Sequence, residues 1–166
     1  MASEVFNGRL ISVRVDDQGL ELVAHPPAVV MVALEESGDV WLVRSRRPVP
    51  EQTLVEVPAG LIDPGESPAE AARRELHEEC GLEAERWEEL ASAYSSPGFC
   101  DERVHVYLAT GLRHVGGEEP AGAVEEKFPA GIEEALRLCS ANLQSLAALL
   151  LASRRLARGG GAGHPG

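Results

Sequence analysis

The chain has 166 residues, 44% of them hydrophobic, and a formal net charge of −12. That length suits one domain with a real core, and the apolar fraction excludes disorder over most of it. The acidic balance excludes a nucleic-acid surface, which needs a basic stripe, and it repels a phosphorylated substrate unless a metal or a local arginine group receives it.

Val5 to Val15 alternates loosely and predicts a strand, followed by the acidic turn Asp16-Asp17-Gln18-Gly19. Leu20 to His25 predicts a second strand, making a hairpin that Pro26-Pro27 interrupts. Ala28 to Leu34 (AVVMVAL) is a continuous apolar run, as expected of a strand buried on both faces. Glu35 to Asp39 reads as a turn, and Val40 to Arg44 returns as another strand. Arg44, Arg46 and Arg47 then form the most basic patch of the chain. It reads either as surface solubility or as an anion clamp, since guanidinium groups bind phosphate oxygens bidentately.

Gly60 to Leu82 (GLIDPGESPAEAARRELHEECGL) reads as a loop, a helix and a stop. Ser67 suits the N-cap, Pro68 the first helical position, and Glu70 completes a capping box. Gly81 falls where a left-handed residue ends a helix, so the helix is predicted from Pro68 to Cys80. Ala69, Ala72, Leu76 and Cys80 share one side and can pack inward. Glu75, Glu78 and Glu79 stand at i, i+3 and i+4, so their carboxylates converge. Carboxylates that close repel one another, which raises their pKa values unless a cation sits among them. Arg74 offsets part of that charge. A solvated acidic face and a site for a hard divalent cation such as Mg²⁺ are both readings of this trio.

Trp87 to Ser95 and Val104 to Thr110 predict strands, and YSSPGFCDER between them is too rich in turn formers to be regular. Gly116 to Gly122 reads as a flexible acidic loop. Ile132 to Ser140 and Asn142 to Arg155 predict helices whose Leu136, Leu143, Leu146, Leu149 and Leu150 belong to the core. The glycine-rich stretch 157–166 is expected to be a disordered tail. Cys80, Cys100 and Cys139 form no CxxC pair, so neither a zinc site nor a disulfide framework is indicated. The N-terminus lacks a basic start followed by an apolar run, and no stretch reaches about 20 apolar residues. A soluble cytoplasmic protein without a membrane partner is expected.

The spacing Gly60, Glu66, Arg74-Glu75-Leu76, Glu78-Glu79, Gly81-Leu82 resembles the signature of the Nudix hydrolases at every fixed position. Leaving out Leu76 and Leu82, the seven other positions at roughly 5–10% each coincide by chance about once in 10⁸ trials, so the match is specific. Within that family, ELVAHPPAV and VEVPAGLIDPGE are similar to the branch that cleaves ADP-ribose. Pro97, sixteen residues after Gly81, together with Ser96, Gly98 and Glu102, resembles the same branch.

The resemblance implies an α/β (α+β) Nudix fold: a mixed β-sheet sandwiched between helices, with antiparallel strands in 1–27, the hydrolase domain in 28–156 and the tail after it. It implies a Mg²⁺-dependent hydrolase that splits the diphosphate of ADP-ribose into AMP and ribose 5-phosphate. Two or more Mg²⁺ ions, replaceable by Mn²⁺ or another divalent ion, would sit on Glu75, Glu78 and Glu79 and on the Ala59 carbonyl. Glu78 and Glu79 would share the catalytic work with a loop glutamate, Glu118 or Glu119, that orients or deprotonates the water. Glu125 and Glu126 are further candidates for that role. Arg47, Arg46, Glu56, Pro97, Gly98 and Glu102 are the implied substrate contacts, Arg74 would orient the glutamates, and Glu66 would support the loop. Glu102 reads equally as a surface ion pair with Arg103 or Arg113. Only seven residues are aromatic, and Phe6, Trp41 and Phe99 are the candidates to stack on a base. A homodimer built through the N-terminal strands is expected. The alternatives are a Nudix hydrolase of another substrate, such as ADP-glucose or a dinucleotide, and a silent ADP-ribose-binding regulator.

Overall fold

The computed structural model describes residues 2–116 and 124–159. Two sheets form. A three-stranded antiparallel sheet holds β1 (Ser3–Asn7), β2 (Ser12–Val15) and β3 (Glu21–Ala24). The segment expected as one strand from Val5 to Val15 is therefore two. The chain folds back at Gly8, whose amide donates to the Ile11 carbonyl at 2.9 Å. Asn7-Gly8 is a turn-forming pair, and it interrupts the alternation.

The main sheet contains β4 (Ala28–Leu34), β5 (Asp39–Arg47), β6 (Gln52–Glu56), β7 (Ala59–Leu61), β8 (Leu82–Tyr94), β9 (Arg103–His114) and β10 (Val124–Gly131). Its order is β10-β5-β4-β9-β8, with β6 on β5 and β7 on β4. β4 and β9 run parallel and the other pairings are antiparallel. β4 is buried along almost its whole length, as its unbroken apolar run demands. Alternation sends Val29, Met31 and Ala33 to one face and Val30 and Val32 to the other. The first face packs under α1 (Pro68–Cys80) through Ala71, Ala72, Leu76 and Cys80. The second packs under α2 (Ile132–Leu138) and α3 (Leu143–Gly159) through Ala135, Ala148, Leu149 and Ala152. The mixed sheet is thus sandwiched between helices.

β6, β7 and β10 are short or lie in Pro- and Gly-containing sequence, and periodicity did not reveal them. β4 and β5 pair only at Leu34 and Val40 before diverging, and β6 and β7 fill the gap between them. That divergence opens the cleft described below. On α3, Leu143 and Leu150 are solvent-exposed rather than core, because the buried stripe runs through Ser145, Ala148, Leu149 and Ala152. On α1 the inward pair is Ala71 and Ala72, with Ala69 only half-buried. α3 continues to Gly159, into the segment expected as tail.

Candidate active site

α1 is fixed at both ends. The Glu70 amide donates to Ser67 Oγ at 3.3 Å and the Ser67 amide to Glu70 Oε2 at 2.8 Å. At the other end Gly81 adopts φ 64° and donates its amide to the His77 carbonyl at 2.8 Å. With start and stop set, the rotation of the helix is set, and Glu75 and Glu79 turn toward β7.

Arg74 is the hub of the acidic face. Its Nε and Nη2 donate to the two carboxylate oxygens of Glu66, each at 2.9 Å, and Nη2 also reaches the Leu61 carbonyl at 2.9 Å. Nη1 donates to Glu75 at 2.7 Å and to Glu78 at 3.4 Å. The Arg74 hydrogen bond holds the Glu66 carboxyl below the usual range, and the same bond keeps Arg74 protonated. Glu66 also accepts from the Asp63 amide at 3.1 Å, so it ties the loop to the helix. Gly60 lies against the Glu75 carboxylate so closely that a Cβ there would collide with it.

Burial pushes Glu79 up to about 7, and the charges of Glu75 and Glu56 push the same way. The Ala59 amide, donating to Glu79 Oε2 at 3.0 Å, and Arg47 oppose the rise. Burial also raises Glu75, against the pull of Arg74. Among the described residues no three acidic, histidine or cysteine side chains are already arrayed as a metal cage. The glutamates are instead turned onto Arg74 and the Ala59 amide. Their chemistry still fits a hard divalent ion. The donors are all oxygens, two carboxylates are disfavoured as anions by burial, and the lack of a Cβ at Gly60 lets the Glu75 carboxylate lie against the β7 backbone. Glu75, Glu78 and Glu79 are the side chains that would hold it.

Beside this face lies a cleft of about 640 Å³, lined by Arg47, Glu56, Ala59, Gly60, Glu102 and Asn142 among others. Arg47 makes a bidentate ion pair with Glu56, its Nη2 at 2.6 Å from Oε2 and its Nε shared between Oε2 at 2.9 Å and Oε1 at 3.1 Å. Glu102 meets His25 and Gln144, each at 3.5 Å. Pairing with β6 places Arg46 on the opposite side of β5 from Arg47, exposed to solvent. Arg44 is also turned away, bonded to Glu126 at 2.6 Å and stacked on Phe128. The basic patch of the sequence is therefore split, and Arg47 alone of the three lines the cleft.

A family match decides what this arrangement is. The NUDIX domain description covers residues 24–156. The chain belongs to the Nudix family. It is 40% identical over 133 residues to the methanol dehydrogenase activator of Bacillus methanolicus, spanning 75% of this chain and 71% of that protein. It is 37% identical to the ADP-ribose pyrophosphatase of Bacillus subtilis over 81% of this chain and 78% of that one. A solved structure described as an ADP compounds hydrolase superposes with a TM-score of 0.76 at 26% identity, covering 97% of this chain and 94% of that one.

Of the Nudix signature residues, Glu66, Glu75 and Glu78 meet on Arg74, Gly60 packs against Glu75, and Glu79 sits on the Ala59 amide beside them. Other expected residues fall elsewhere. Pro97 and Gly98 are exposed on the turn Ser96–Cys100, beside a separate pocket of about 280 Å³, while Ser95 and Ser96 line the cleft instead. Arg103 donates to Ser92 Oγ and Arg113 pairs with Glu83, so neither partners Glu102. Glu118 and Glu119 lie outside the described residues. Glu125 accepts from Thr53 on β6, and Glu126 is taken by Arg44. Phe6 and Phe99 are exposed and Trp41 is bonded to Glu35; none of the three lines the cleft. His25, Asn142, Leu143 and Gln144 do line it, and nothing in the sequence marked them beyond the helix-capping preference of Asn142.

Proposed function

We propose that this Nudix protein hydrolyses the diphosphate linkage of ADP-ribose, releasing AMP and ribose 5-phosphate, with Mg²⁺ as its divalent ion. The observation that carries the reading is the placement of Arg47 and of the Ala59–Leu61 strand on one cleft, with Glu79 bonded to the amide of Ala59 in that wall. The volume suits a small-molecule site. The ADP-ribose pyrophosphatase named among its relatives and the ADP compounds hydrolase of similar fold support this substrate.

Glu75, Glu78 and Glu79, with the Ala59 carbonyl, would hold the ions, and Arg74 would orient the glutamates. When bound there, a divalent ion would supply charge neutralisation for the diphosphate and activation of water. Arg47 donates to the diphosphate oxygens in bidentate fashion. Glu118 or Glu119 receives the proton of the attacking water or aims it. Glu102, with His25 and Gln144, bounds the other part of the cleft. The exposed Val5, Phe6, Leu10 and Leu20 of the N-terminal sheet form the contact of a cytoplasmic homodimer.

A panel of ADP-ribose, ADP-glucose and a dinucleotide, with Mg²⁺ and AMP release as the readout, tests the substrate. ADP-ribose is expected to give the highest kcat/KM. A tenfold or larger preference for another member would reassign it. Glu118→Gln and Glu119→Gln, assayed separately, identify the loop glutamate by which one lowers kcat.

A further inference from the structure

The carboxylate of Glu56 is only 2% exposed, and a buried carboxylate needs hydrogen bonds on both sides to be tolerated. Arg47 covers Oε2 with its two short bonds and reaches Oε1 only at 3.1 Å. The short bond to Oε1 comes from the far end of the chain: Asn142 Nδ2 donates to Glu56 Oε1 at 2.5 Å. The Asn142 amide is itself held, because its Oδ1 accepts the Ser145 amide at 2.9 Å and so caps α3. Its two ends cannot be exchanged, since the carboxylate only accepts and the backbone amide only donates. Ser145, 2% exposed, in turn takes the Val57 amide on its hydroxyl at 3.2 Å, so the start of α3 and the end of β6 are locked together.

This chain of contacts ends on Arg47, whose side chain is 39% exposed and lines the cleft. Nε and Nη2 of Arg47 are committed to Glu56. The remaining edge of the guanidinium, at Nη1, is left for an anion. A free arginine loses rotamer freedom on binding an anion, and a pre-set one loses less. Glu56 can pre-set Arg47 only if its own carboxylate plane is fixed. Asn142 fixes it.

We propose that Asn142 is a positioning residue of the substrate cleft, holding Arg47 in its anion-binding orientation through the Glu56 carboxylate. The inference rests on the reading of Arg47 as a ligand of the diphosphate. The helix that closes the fold thereby sets the geometry of a side chain on β5, about 95 positions earlier in the sequence.

The test is a double-mutant cycle of Asn142→Ser, Arg47→Ala and both together. Serine keeps an N-cap oxygen for α3 but removes the donor to Glu56. Two readouts are taken: kcat and KM on ADP-ribose with Mg²⁺, and the affinity for ADP-ribose by calorimetry in EDTA. Asn142→Ser is expected to raise KM and the EDTA dissociation constant roughly 3–10-fold, the net scale of one ordinary hydrogen bond because the effect reaches substrate only through Arg47, with kcat within about twofold. In the Arg47→Ala background it is expected to add nothing. An Asn142→Ser effect of equal size in both backgrounds means that Asn142 acts without Arg47, and the proposal is overturned. If Arg47→Ala raises KM and Asn142→Ser does not, the proposal fails while the phosphate role of Arg47 stands. If Arg47→Ala itself leaves KM unchanged, both fail. Asn142→Thr, a second capping residue, takes the same place in the cycle should the serine variant not fold.

Discussion

The Ala59 amide donates to Glu79 Oε2 at 3.0 Å, joining a strand residue to a helix residue twenty positions away. This bond holds a largely buried carboxylate against the wall of the cleft. It offsets only part of the desolvation of Glu79, whose pKa still stands at about 7.

A stability prediction follows from that number. The ordinary Glu value of 4.5 applies to the unfolded chain and about 7 to the folded one. A raised folded pKa means that the group's contribution is intact below pH 4.5 and is lost as pH rises through 7. In EDTA, Glu79→Gln is therefore expected to be more stable than the parent at pH 8, by about 2–3 kcal/mol. The gap should close toward pH 4.5. Mg²⁺ should reverse the order by stabilising the parent alone. Thermal melts at both pH values, with and without Mg²⁺, check this, and an equal response of the two proteins to Mg²⁺ would exclude Glu79 as a ligand.

Gly60 faces the Glu75 carboxylate with no room for a Cβ. Gly60→Ala is expected to displace Glu75 and lower kcat/KM about 100-fold, the scale of a misplacement near 1 Å. The folded state should survive, because Glu75 is a side chain that can move. Retention of full activity with a normal Mg²⁺ requirement would show that Glu75 need not sit where it does.

Ser67 caps the signature helix through the Glu70 amide. Ser67→Ala should cost about 1 kcal/mol, lowering Tm by about 2–4 °C in a chain of this size. The capping bonds involve only Ser67 and Glu70 and none of the site carboxylates, so kcat should barely change. A large loss of kcat without a fall in Tm would indicate that the cap acts on the chemistry.

Burial pushes the Cys80 thiol up to about 12 and the Cys139 thiol up to about 11. At pH 8 only about one Cys80 in 10⁴ is a thiolate, so both thiols should resist alkylation in the native protein. Cys100 is partly exposed and should react. Mass spectrometry of protein alkylated at pH 8 should show one adduct before denaturation and three after it.

The sequence by itself determined the central helix, both of its caps and the acidic trio on its surface. Ser67, Pro68, Glu70 and Gly81 act within a few residues of one another, and such local chemistry can be read without knowing the fold. The buried strand β4 was legible for a similar reason, since an unbroken apolar run must be covered on both sides. The short strands β6 and β7 were not, because each exists only by pairing with a distant partner. Tertiary structure alone decided which arginine meets the cleft. Arg46 and Arg47 are neighbours in sequence, and the pleat of β5 sends them to opposite faces. It alone also brought Asn142 to Glu56, a contact that depends on α3 crossing the sheet and that no spacing along the chain encodes.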